Sequence, residues 1–366
     1  MTGRQRLEGI LARRGTDRPA WTTLVDDKAR SPMPARLREM SALDFYRHVG
    51  CDILQFGNYG LAPADRWEPA RLLQPAEVTA TRDGDVVTRR TVTSWGTLTA
   101  TSRGGHPLSY PVRSLDDLRV LRRLWEQSDY AEAPDARGRA RRIDGLVGDD
   151  GLYLPALDPS PVQQLIEADI GLAGFYYFLH DHPGEVASLM EAMHRARLAE
   201  YEIVARCTPA PALIAVENTS TTLTSPAVYR RWTLPHVRDY AAAAGRWGKK
   251  LILHMCGLLA GLLEPLAETG MGGINALTPP PVGDCPFDRA LDVLGDDLVI
   301  LGGVFPPEVL HRPAATADDI ARALDALYTP RIRRANFLLW VAVDGLPTPV
   351  EKLHAVRDWM ARPPRR

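Results

Sequence analysis

The sequence predicts an α/β fold, a (β/α)8 TIM barrel with a β hairpin inserted in its N-terminal part. Three observations predict it. Eight short apolar runs are spread along the 366 residues. The runs are continuous rather than alternating, as parallel strands buried on both faces are. Helical patterns separate most of them, and no Gly-rich GxGxxG follows any run, which counts against an open dinucleotide-binding sheet.

Residues 20–25 (AWTTLV) form the first predicted strand. A helical stretch at 42–49 leads to the second, 52–56 (DILQF). Residues 68–110 break the alternation. There VTATRDGDVVTRRTVTSWGTLTATS places Asp83-Gly84 between Thr/Val-rich runs, a hairpin signal with a type I′ turn. The charged, Gly-rich residues 128–151 read as a surface excursion. The third strand is 152–157, followed by a long amphipathic helix over 183–207. Residues 213–216 (LIAV) are the fourth strand. A helix over 225–247 opens on Ser-Pro, a helix-start signal. Residues 251–254 (LILH) are the fifth strand, and a helix over 258–269 closes at Gly270. The weaker run 273–277 and the strong run 298–301 (LVIL) follow. A helix over 316–328 begins with acidic residues, and 337–343 (FLLWVAV) is the eighth strand. The expected organisation is one barrel domain over 1–366 with a β insertion at about 68–110.

Composition narrows the function. The chain is 45% hydrophobic and 24% charged, which excludes an intrinsically disordered chain. Lys+Arg is 44 against Asp+Glu 45, so there is no basic excess for nucleic acid. No apolar run reaches the roughly 18–20 residues of a membrane span. The charged N-terminus lacks the apolar stretch of a signal peptide, so a cytoplasmic location is expected. Four cysteines, Cys51, Cys207, Cys256 and Cys285, are too few for a disulfide scaffold.

Catalytic residues of such barrels sit at the carboxyl ends of strands. The strand ends here offer Asp26 and Asp27; Asn58 and Tyr59; Asp158; Glu217 and Asn218; His254 and Cys256; and Asp344. His254-x-Cys256 is the sharpest pair. In extended chain, residues two apart face one side, and imidazole and thiolate are both zinc ligands. The alternative is a chance pair in a core. Glu217 suits a general base or a further ligand, or else a rim hydrogen bond. Asp26, Asn58, Tyr59 and Asp158 are candidate substrate contacts, with turn or loop roles as the alternative. Trp21, Trp95 and Trp340 read as strand residues that could line a pocket. His180-x-His182 imitates a ligand pair but sits at a helix start. The basic run at 331–334 (RIRR) is a solvated face or a surface for an acidic partner.

The stretch SPAVYRRWTLPHVRDYAAAAGRWGKKLILHMCGLLAGLLEPLAETGMGGINAL resembles the uroporphyrinogen decarboxylase superfamily. It looks most like the cobalamin-dependent branch, such as the methylcobamide:coenzyme M methyltransferases. GDDLVILGGVFPPEVL and LPTPVEKLHAVRDW resemble two further segments of that superfamily. The resemblance covers residues 150–360 well. It implies a (β/α)8 barrel and a zinc ion whose ligands include His254 and Cys256. Zinc lowers the pKa of a bound thiol, or polarises a leaving group, for methyl transfer to or from a corrinoid. The branch usually supplies another Cys before the C-terminal Pro-x-Thr-Pro segment. This chain has none there, and Asp344 stands nearest. The decarboxylase's Arg-rich motif after strand one is also absent, replaced by Asp26, Asp27, Lys28 and Arg30. Paired acids repel a polyanion, which argues against uroporphyrinogen as substrate.

The expected function is therefore zinc-dependent methyl transfer between a small methylated substrate or thiol and a corrinoid (methylcobalamin) on a partner protein. His254 and Cys256 hold the metal, with Asp344 or Glu217 as third ligand; Glu217, Asn218 and Asp344 take part in catalysis. A homodimer is a possible assembly, and neither nucleic acid nor membrane is an expected partner. The rivals are a metal-free decarboxylase or lyase for a small carboxylate, and a non-catalytic subunit that docks a corrinoid protein.

Overall fold

The computed structural model describes residues 1–343 and 345–362. Among them, eight strands make a ring: β1 (Ala20–Leu24), β2 (Ile53–Phe56), β3 (Gly151–Leu154, continuing as Ala156–Leu157), β4 (Ala212–Ala215), β5 (Lys250–His254), β6 (Gly273–Asn275), β7 (Val299–Val304) and β8 (Asn336–Ala342). Seven are hydrogen-bonded in parallel in the order β1-β8-β7-β6-β5-β4-β3. Pro155 has no N–H to donate and divides β3: its first half pairs with β2, its second with β4. The sheet closes between β1 and β2. There the Asp52 N–H donates to the Trp21 carbonyl at 2.8 Å, and the Leu54 N–H donates to Thr22 Oγ1 at 3.2 Å. This is the expected TIM barrel, and all eight apolar runs are strands of the ring.

The closing seam is tied by Asp52, 1% exposed. Its Oδ1 accepts from Arg6 Nη1 at 3.0 Å and Arg18 Nη2 at 2.9 Å. Its Oδ2 accepts from Arg18 Nη1 at 2.9 Å and the Trp21 N–H at 3.2 Å. A buried carboxylate persists only with such partners, and removing one side of a buried ion pair costs about 3–5 kcal/mol. Asp52→Ala is therefore expected to lower stability by that order, read as a drop in the urea midpoint.

The insertion is larger than one hairpin. Four antiparallel strands, Glu77–Asp83, Val86–Thr93, Gly96–Arg103 and His106–Ser109, form a meander. The first turn is Gly84-Asp85 rather than Asp83-Gly84, because Asp83 pairs with Val86. Only Gly84 has positive φ (57°), the type II′ rather than I′ pattern. Gly104-Gly105, both with positive φ, form the third turn. Trp95 lies in the second turn, not on a strand. Residues 128–151 are not a surface excursion. They hold a strand, Asp129–Glu132, antiparallel to Ala70–Leu73, and a helix, Ala136–Val147, that buries Ala136, Ala140, Ile143 and Val147.

Outside the ring, helix Pro183–Cys207 packs against helix Leu234–Arg246. His194 joins them, with Nε2 2.9 Å from Asp239 Oδ2 and Nδ1 3.1 Å from the Tyr240 hydroxyl. His236 stacks on His194 at 4.2 Å, and its Nδ1 is buried without a hydrogen bond among the described residues. Burial first, then the neighbouring His194, pulls the His236 imidazole down to about 4, against Asp239. The unfolded chain thus binds more protons between the ordinary value of 6.5 and 4. Stability is expected to fall as pH drops through that window, by on the order of 2 kcal/mol. Urea denaturation near neutrality and near the bottom of the window reads the slope, which His236→Phe should flatten.

Candidate active site at the carboxyl ends of the strands

His254 ends β5, in register with Asn275 at the end of β6. Its Nδ1 lies 2.5 Å from Asn275 Oδ1. Asn275 is 2% exposed, and its Nδ2 donates to the Leu301 carbonyl at 2.5 Å. That donor bond orients the amide, so its oxygen faces the imidazole and must accept. Nδ1 therefore carries a proton, and Nε2 is the ring nitrogen that a metal would use. Gly302 makes the room. It sits at a bulge in β7 with φ of 105°, and a Cβ there would meet Asn275 Nδ2 at 2.5 Å. The Phe56 ring meets His254 edge-on at 5.1 Å, and Trp340 lies 6.2 Å away. Beneath them lies a cavity of about 10 Å³, near the size of one water and too small for a substrate.

Met255 is fully buried, while His254 is half-buried and Cys256 exposed, so the two donors lie on the side opposite Met255. Asn218 clasps this strand end. Its N–H donates to the His254 carbonyl at 2.9 Å, and its Oδ1 accepts from Cys256 Sγ at 3.5 Å. Asn218 has φ of 45°, a left-handed conformation that Asn tolerates better than most residues. Desolvation raises the Cys256 thiol above its ordinary value; a backbone hydrogen bond opposes this and the charge of Glu167 adds to it.

Glu167 was not foreseen. It lies in a π-helical turn, Leu165–Asp169, of the kind that recurs at functional sites. Gln163 Nε2 reaches it at 3.5 Å.

Glu217 turns the other way. It is buried and accepts from the Ser160 N–H at 2.8 Å, Ser160 Oγ at 2.6 Å and Thr219 Oγ1 at 3.1 Å. Burial raises its carboxyl and these hydrogen bonds pull it back. Its oxygens are engaged there, so it does not join His254 and Cys256 as a third ligand. Among the described residues no three His, Cys, Asp or Glu side chains gather to hold a metal. Asp344 lies outside the described residues.

The expected substrate contacts are held by loop interactions. Asp26 Oδ1 accepts from the Ala29 N–H and Oδ2 from the Gly345 N–H, tying β1 to the loop after β8. Asn58 brackets Trp67 through both its N–H and its carbonyl. The Tyr59 carbonyl accepts from Gln55 Nε2, and its ring packs on the core. Asp158 pairs with the buried Arg197 at 3.0 Å. Cys51, Cys207 and Cys285 are buried thiols. His180 is exposed beside Asp181.

The uroporphyrinogen decarboxylase (URO-D) family profile matches residues 164–360. The chain belongs to the URO-D family. No curated protein matches the sequence. Among solved structures, a methyltransferase from Methanosarcina mazei is similar over 98% of both chains, with a TM-score of 0.59 at 12% identity. A chitinase from Chromobacterium violaceum matches 69% of this chain and 98% of its own, with a TM-score of 0.39 at 10% identity. The first likeness is one of fold, and the second is too loose to bear on the site. Among the described residues of this URO-D protein, no helix is long and apolar enough to cross a membrane.

Asn275→Leu removes the acceptor that fixes the imidazole. The 15N shifts of His254 are expected to move from one tautomer to a mixture, with stability lowered by about 1–3 kcal/mol for the orphaned Leu301 carbonyl. Unchanged imidazole shifts would show that the amide does not set the tautomer.

Proposed function

We propose that this URO-D protein moves a methyl group between a small methylated molecule or thiol and a corrinoid carried by a partner protein, with zinc held at His254 and Cys256. The observation that carries the reading is the fixed imidazole: Asn275 commits Nδ1 to donation, which makes Nε2 the ring nitrogen for a metal, and Cys256 follows two residues on with an exposed thiol. Imidazole and thiol suit zinc, and a second-shell acceptor on the other ring nitrogen is the usual company of a ligating histidine. The likeness to the Methanosarcina mazei protein in fold agrees with this reading. Asp344 is the proposed third ligand.

Bound there, zinc would supply Lewis acidity, lowering the pKa of a coordinated thiol or polarising a leaving group. The chain's own residues do the rest. Desolvation raises the Cys256 thiol, and a thiol binds a metal as thiolate, so metal uptake should release a proton and weaken on acidification. Asn218 keeps the ends of β4 and β5 together. Phe56 and Trp340 pack around the imidazole and hold it toward the mouth. Glu217, bound to Ser160 and Thr219, fixes the loop that follows β3.

Elemental analysis and methylcobalamin turnover with a thiol acceptor test the proposal. About one zinc per chain is expected, and His254→Ala should abolish zinc retention and turnover while the circular dichroism is unchanged. Turnover retained in His254→Ala would remove the metal mechanism. Less than about 0.2 zinc per chain after gentle purification would favour the metal-free lyase. A zinc-loaded chain without turnover would favour the docking subunit.

A further inference from the structure

At the floor of the barrel, opposite the candidate active site, lies a cavity of about 320 Å³. Its walls come from residues 13–19, which run into β1, and from residues 332–337 at the start of β8. Five arginines line it: Arg13, Arg14, Arg18, Arg333 and Arg334. The one lining carboxylate, Asp17, is already taken by Arg6 at 2.6 Å and the terminal amine at 2.7 Å. Arg18 is held through both terminal nitrogens by the buried Asp52. Among the described residues, Arg13 pairs with Asp297 alone, at 3.5 Å and largely in solvent. Among the described residues, no carboxylate pairs with Arg14, Arg333 or Arg334. Guanidiniums gathered without counter-ions repel one another, and of these three only Arg333 has an aromatic ring, Trp359 at 5.5 Å, to hold it outside the cavity lining among the described residues.

Tyr328 lines the same cavity with its ring and is 4% exposed. The Arg333 guanidinium lies 5.7 Å from its ring centre. Arg13 has φ of 58°, at a helix end where glycine is the usual occupant. The basic run at 331–334 also divides here. Arg331 is neutralised by Asp292 at 2.6 Å and Asp296 at 2.8 Å, while Arg333 and Arg334 face the cavity.

We propose that this cavity binds a small molecule bearing phosphoryl groups, with Arg14 and Arg334 on its terminal oxygens. A phosphoryl group offers several anionic oxygens to several guanidinium forks at once. The volume sits at the lower end of small-ligand sites, which suits pyrophosphate or a mononucleotide. The balanced charge of the chain argues against a nucleic acid strand. The site does not depend on the methyl-transfer reading.

Isothermal titration of the full chain with inorganic phosphate, pyrophosphate and AMP tests it, with citrate as a polyanion lacking phosphorus. Saturable binding of at least one phosphoryl probe is expected, with Kd below about 1 mM. Arg14→Ala and Arg334→Ala should each weaken it about tenfold. Arg14 and Arg334 are exposed, so both variants should fold, and His254→Ala should bind as the native chain does. No saturable binding of any phosphoryl probe up to about 10 mM would overturn the proposal, as would unchanged affinity in both arginine variants. Citrate binding as tightly as the best phosphoryl probe would overturn the ligand class.

Discussion

A sheet that curls into a ring must close somewhere, and here the closing pair is β1 and β2, fastened by one buried carboxylate. Asp52 holds the Trp21 backbone and two arginines at once. The candidate site depends on that closure, because its side chains arrive from different strands. Phe56 comes from β2, Asn218 from beyond β4, His254 from β5, Asn275 from β6 and Trp340 from β8. An open seam would free Phe56 from its edge contact with His254 and admit water to the barrel interior. Short parallel strands cannot position such groups singly; the ring does it collectively.

The ring was legible in the sequence because a strand buried on both faces has one signature, an unbroken apolar run. The insertion was less so. Its strands are exposed and rich in Thr and Arg, so no apolar run marks them, and only Asp83-Gly84 stood out as a turn. Residues 136–147 misled for another reason. Their four arginines and two glycines suggest a surface loop. The buried face is made of Ala136, Ala140, Ile143 and Val147, whose spacing of four, three and four is helical. Small residues carry little hydrophobic signal, yet they let a helix approach the barrel closely.

At the site, the period of two explains both the success and the failure. His254 and Cys256 share a side because one residue separates them, and Met255 takes the core. Glu217 and Asn218 are consecutive, so they cannot both turn the same way. Asn218 reaches Cys256, and Glu217 turns to Ser160. Asn275 was invisible for a deeper reason. Its role follows from the register of β5 against β6 and from the bulge that places Gly302 beneath its amide. Neither can be read from a local stretch, because both are properties of neighbouring strands far apart in the chain.

The two ends of the barrel are chemically opposite. At the mouth stand an imidazole and an exposed thiol, donor types that suit a soft metal cation. At the floor, arginines outnumber carboxylates, so that end calls for an anion. Arg18 belongs to the floor and to the seam together, since it lines the cavity while gripping Asp52. Its charge is already answered, and its geometry is fixed by the ring. The positive potential at the floor therefore comes from Arg14, Arg333 and Arg334, which closure does not need. Charges that stability does not require and neighbours do not neutralise point to a ligand.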